Sequence, residues 1–189
     1  MTLNYVIVEI DEAYKNEIEG LVVNSTIESV AHINRIARVV EAPSFTIIKK
    51  GDEVVVHHNI FRLRNGLRGR KLQSNYHLEG NKYFVPLTEV FMYKRGNNNW
   101  NAIRPYVFVK PIKKVDKKIG NIIINSSEQN SHKGNIKLHG IIKYPNDELV
   151  YNGVDVGDNV IFSDWSEYEF NIDGEILYKM STNDILAKI

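Results

Sequence analysis

The chain runs through one order of strand and turn signals twice. Gly51-Asp52 leads into Glu53-Val54-Val55-Val56, and Gly157-Asp158 leads into Asn159-Val160-Ile161-Phe162. Tyr5-Val6-Ile7-Val8 has its counterpart in Tyr106-Val107-Phe108-Val109, and Gly20-Leu21-Val22-Val23-Asn24 in Gly120-Asn121-Ile122-Ile123-Ile124-Asn125. Glu79-Gly80-Asn81 answers to Asp173-Gly174-Glu175, and Glu89-Val90-Phe91 to Asp184-Ile185-Leu186. Loop lengths drift between the copies, but the order holds. A repeat of about 100 residues has the size of a domain and not of a solenoid unit. The pattern predicts a tandem duplication: residues 1–95, a polar linker over 96–102 rich in turn formers, chiefly Asn, and residues 103–189.

Each copy reads as β. Runs of β-branched residues and short alternations dominate, and helical periodicity is poor. In the second copy Val154 and Val156 alternate about Asp155, and Val160-Ile161-Phe162 is a short apolar strand. Tyr168, Phe170 and Ile172 alternate with Glu169 and Asn171, the period of a half-buried strand. Asp173-Gly174 is a hairpin signal, after which Glu175 to Tyr178 returns and Ile185 to Ile189 closes the unit. In the first copy Tyr5 to Ile10 and Ile36 to Val40 are the clearest strands. The expected fold class is all-β.

Composition removes several functions. The 189 residues are 43% hydrophobic and 25% charged, ordinary globular material. A formal charge of +1 gives no global attraction to nucleic acid or an anionic surface. With no cysteine there is no disulfide, thiolate ligand or thiol nucleophile. MTLNYVIVEIDEAY lacks the basic start and apolar core of a signal peptide. Uninterrupted apolar runs fall far short of the roughly 20 residues that span a bilayer. The expectation is a soluble, cytoplasmic protein with no membrane partner.

The second copy also resembles a known family. Its order of apolar-Gly-Asp-x-Val-Ile-Phe, then Ile172-Asp173-Gly174-Glu175, then Ser181-Thr182-Asn183-Asp184-Ile185-Leu186-Ala187, is similar to the C-terminal half of the ten-kilodalton co-chaperonins, the GroES family. Ile103-Arg104-Pro105 and Val107-Phe108-Val109-Lys110 resemble that family's first strand, and Gly120-Asn121-Ile122-Ile123-Ile124 sits where the family carries its mobile-loop motif. The resemblance implies two GroES-like, partly open β-barrel domains. It also implies a homo-oligomeric lid that caps an ATP-loaded, GroEL-type chaperonin ring and assists protein folding without cofactor, metal or catalysis of its own. Tyr144 to Gly153 fits the hairpin that roofs the family's dome, whereas the first copy has only Glu41 to Phe45 there, so its roof hairpin is reduced.

The resemblance places chaperonin binding on Leu21, Val22 and Val23 and on Ile122, Ile123 and Ile124. The flanks of the second triplet, Lys117-Lys118 and Ser126 to Ser131, are hard to bury, which argues for an exposed loop over a core strand. Burying three aliphatic side chains gains roughly 5–9 kcal/mol. Ordering about five backbone residues costs roughly 5–10 kcal/mol. One loop is therefore near break-even, and affinity has to come from several loops on one ring.

The first copy adds a basic insertion, about His58 to His77, whose centre Arg62 to Lys71 reads RLRNGLRGRK. A solvated excursion is its plain reading; a loop that holds phosphate or nucleic acid is the alternative, for a ring-forming or adaptor protein without chaperonin binding. The glycine spacing is not that of a P-loop. The six histidines are scattered, and His57-His58, adjacent in an expected strand, would point to opposite faces, so no metal site is expected. No nucleophile elbow occurs, and no enzyme activity is expected.

Overall fold

The computed structural model describes residues 4–11, 13, 17–18, 21–22, 33, 35–66, 70–113, 117–119, 122–124 and 135–189. The chain divides into two compact units, Met1–Asn101 and Ala102–Ile189, and both are almost entirely β.

The first unit contains β1 (Tyr5–Glu9), β2 (Glu17–Ile18), β3 (Leu21–Val22), β4 (Ile36–Glu41), β5 (Glu53–Val56), β6 (Arg64–Asn65), β7 (Lys71–Leu72), β8 (His77–Glu79), β9 (Lys82–Pro86) and β10 (Val90–Lys94), and β11 (Asn101–Ala102) straddles its end. Its main sheet has seven strands in the order β11-β10-β5-β4-β1-β9-β8. Alternation decides which face is core. Val6 and Val8 of β1 are fully buried, as is Val85 of β9, which pairs with Val6.

The second unit contains β12 (Tyr106–Lys113), β13 (Lys117–Ile119), β14 (Ile122–Ile124), β15 (Asn135–Tyr144), α1 (Asp147–Tyr151), β16 (Asn159–Phe162), β17 (Tyr168–Ile172), β18 (Glu175–Ser181) and β19 (Ile185–Lys188). Its main sheet has six strands, ordered β17-β18-β12-β15-β16-β19. Val107, Val109, Ile142, Leu149, Val160, Phe162 and Met180 form its core.

With β11 set aside, the two sheets share one order, β8-β9-β1-β4-β5-β10 in the first unit and β17-β18-β12-β15-β16-β19 in the second. The turns agree bond for bond. Gly51 and Gly157 have φ of 90° and 91°, where an L side chain is strained. Each glycine donates its N–H at 2.8 Å, to the Val39 and Ile142 carbonyls respectively. The next carboxylate caps the turn: Asp52 accepts the Lys49 N–H at 2.8 Å, and Asp158 accepts the Asp155 N–H at 2.7 Å. A short 3-10 turn precedes the last main strand of each unit, Leu87–Glu89 before β10 and Thr182–Asp184 before β19. Its final carbonyl is bonded alike, Glu89 accepting the His57 N–H at 3.1 Å and Asp184 the Ser163 N–H at 2.8 Å.

Two expectations need correction. Tyr144 to Gly153 holds no hairpin; after Pro145 the chain makes the single helical turn α1, with Asn146 as its cap and Asp147 and Glu148 in its first turn. Val154 to Val156 is no strand either. The Val154 N–H is taken by the Leu149 carbonyl at the end of α1, so that only Val154 turns inward and Val156 stays 65% exposed.

Candidate partner-docking hairpins

The two apolar triplets fall at one topological position. In the first unit β2 and β3 lie between β1 and β4; in the second, β13 and β14 lie between the equivalent strands β12 and β15. Each pair is a two-stranded antiparallel ribbon outside the main sheets. Ile119 pairs with Ile122, Lys118 with Ile123 and Lys117 with Ile124. Ile18 pairs with Leu21, and Glu17 with Val22.

The sequence leads one to expect an exposed loop; the backbone at Ile122–Ile124 is paired within its ribbon, in keeping with three consecutive β-branched residues. Leu21 and Val22 form β3. Val23, the connecting residues 19–20 and 120–121, and the Ser126–Ser131 flank lie outside the described residues. The registers make Leu21 equivalent to Ile122 and Val22 to Ile123. They also reveal a difference in charge: the residue opposite Val22 is acidic Glu17, and that opposite Ile123 is basic Lys118. A two-stranded ribbon is marginal in water without further packing. Apolar residues on such a ribbon suit a partner that supplies a groove or a further strand.

The basic insertion contains the small hairpin β6–β7, with Arg64 opposite Leu72 and Asn65 opposite Lys71. The Gly66 N–H donates to the Arg70 carbonyl at 2.7 Å, and Leu67, Arg68 and Gly69 lie outside the described residues. His57 and His58 do not point to opposite faces. β5 ends at Val56 and the chain enters a 3-10 turn at His58, which brings the two rings to a centroid distance of 4.3 Å. Among the described residues no group of His, Asp and Glu has the makings of a metal site. No described helix is long and apolar enough to cross a membrane.

Sequence reasoning missed the surroundings of the insertion, where Asn59, Ser74, Asn75 and Tyr76 gather with Arg62 and Arg64 around one cleft. The available signal was the absence of any Asp or Glu from Val54 through Leu78.

Comparison with known proteins falls on the second unit. The family described as chaperonin 10 Kd subunit matches residues 99–189. The co-chaperonin GroES of Thermotoga neapolitana is 37% identical over 84 residues, which cover 44% of this chain and 87% of that protein. That of Parvibaculum lavamentivorans is 38% identical over 83 residues, 43% of this chain and 79% of that protein. That of Zymomonas mobilis is 31% identical over 93 residues, 48% of this chain and 98% of that protein.

Proposed function

The chain belongs to the chaperonin 10 Kd family through residues 99–189, and from that premise we propose that it is a co-chaperonin, one that caps a GroEL-type chaperonin ring and assists folding in the cytoplasm. The two units are copies of one ancestral domain; their common strand order and their matching Gly-Asp turns support this. The protein carries out no chemistry of its own, and nucleotide hydrolysis belongs to the partner. The observation that carries the reading is the ribbon β13–β14, an isoleucine triplet outside the main sheets and inside the matched region.

In this reading Ile122, Ile123 and Ile124 enter an apolar groove on the chaperonin, and Leu21, Val22 and Val23 are their counterparts in the first unit. One ribbon gains too little to hold the lid, so a homo-oligomer presents several together. Ile123→Ser tests the assignment. The variant should stay within about 0.5 kcal/mol of wild type in stability, as exposed sites do. Its binding to an ATP-loaded chaperonin, followed by co-sedimentation, should drop sharply because the loss is repeated around the ring. A large fall in melting temperature would put Ile123 in a core, and unchanged binding would remove the ribbon from the interface. Val22→Ser should have the weaker effect of the two, since the first unit departs further from the family.

A further inference from the structure

The first unit spends residues 57–76 between β5 and β8, where the second spends only 163–167 between β16 and β17. The longer connection builds a cleft of about 540 Å³ lined by Asn59, Arg62, Arg64, Ser74, Asn75 and Tyr76. That volume lies within the range of small-molecule sites, roughly 300–1,000 Å³.

Three features of the cleft agree. Its positive charge is unopposed: the stretch from Val54 to Leu78 has no carboxylate, and among the described residues neither Arg62 nor Arg64 has an acidic partner. The Arg64 Nε donates to the Gln73 carbonyl at 3.1 Å, which steadies that guanidinium and leaves its outer nitrogens available. Ser74, only 6% exposed, accepts the Tyr76 N–H on its Oγ at 3.1 Å, yet among the described residues nothing accepts its own hydroxyl hydrogen.

We propose that this cleft binds the phosphate group of a nucleotide-sized ligand. Guanidinium forks match phosphate oxygens in pairs, and charge-assisted bonds of this type are the strong ones. Two guanidiniums, two amides and a buried hydroxyl offer more donors than the two oxygens of a carboxylate can take up, and they suit the three terminal oxygens of a phosphate. The phosphate could come from a free nucleotide or from the backbone of a single strand crossing the open rim; both share the same chemistry. The cleft is built by residues of the first unit and the β13–β14 ribbon by residues of the second, so this inference does not depend on the chaperonin reading.

The test uses the full chain with two probes, adenosine diphosphate by calorimetry and a labelled oligothymidylate of roughly ten nucleotides by anisotropy. At least one should bind saturably, at least tenfold more weakly to Arg62→Gln/Arg64→Gln and more weakly to Ser74→Ala, with Ile123→Ser unchanged. Binding of the diphosphate with competition by inorganic phosphate identifies a free nucleotide. Binding of the oligonucleotide alone, with a steep salt dependence, identifies the backbone source. Lack of binding by either probe at millimolar concentration overturns the proposal, as does binding that survives in the double arginine variant while circular dichroism shows an intact fold.

Discussion

Asp52 and Asp158 occupy the same post in their units but answer to different cations. Asp52 is 2% exposed and receives two bonds from Arg95, each of 2.8 Å. Burial pushes its pKa up, but the Arg95 bonds and the Lys49 N–H outweigh burial, and the carboxyl ends below its ordinary value. Its stabilising effect is present above the unfolded pKa of about 3.9 and is lost as pH falls through the folded value. Asp158 is lowered mainly by its bond to Lys188, 2.6 Å away. His58 behaves in the opposite sense to a paired histidine. Burial, before any neighbouring charge, lowers its pKa from 6.5 to about 4. The unfolded chain takes up a proton near pH 6.5 that the native state refuses until about pH 4, so stability falls across that window as the solution is acidified. Urea midpoints from pH 7 to 5 should decline more steeply in wild type than in His58→Gln. Equal slopes would contradict a buried neutral imidazole at this position.

Among the elements, α1 rests on one side chain. Asn146, 2% exposed, accepts the Leu149 N–H at 2.9 Å and donates to the Tyr106 carbonyl at 3.0 Å and to Thr182 Oγ1 at 2.7 Å. Asn146→Ala removes the cap and both donor bonds and should cost about 2–4 kcal/mol in chemical unfolding. Asn146→Asp keeps the cap but turns a carboxylate toward the Tyr106 carbonyl, so it should also destabilise; a harmless Asp would reduce the residue to a helix cap alone. The sequence did not reveal α1, because a turn this short carries no helical period and Pro145-Asn146-Asp147 reads as any turn. The main strands were legible for the opposite reason: alternation at Tyr5–Glu9 and Tyr168–Ile172, and glycines at positive φ, follow from purely local rules. Alternation also misled at Val154 and Val156, where the end of a neighbouring helix claims the backbone. The two ribbons were legible as apolar triplets, but their pairing was not. The cleft was out of reach because Asn59 and Ser74 meet only through the fold.

At the scale of the molecule, each unit has a core of its own. Val107, Ile142, Val160, Phe162 and Met180 lie within Ala102–Ile189, and the buried Lys94-covered Trp100 lies within Met1–Asn101. A fragment of residues 102–189 should therefore give a β-type circular dichroism spectrum and a cooperative melt. An unfolded or mainly helical fragment would refute the independence of the second unit. The shared strand order carries a hazard for a chain that refolds. Backbone ladders do not read side chains, so during refolding β12 meets two acceptable neighbours, its own β18 and the equivalent β9 of the other unit. Proximity along the chain sorts them only weakly, since each doubling of a loop costs about 0.6 kcal/mol. Side chains can sort them where ladders do not, because Ile7 stands opposite Phe84 while the corresponding Phe108 stands opposite Lys179. Difference between the units is then a sorting code, and making their strands identical would invite strand exchange between them.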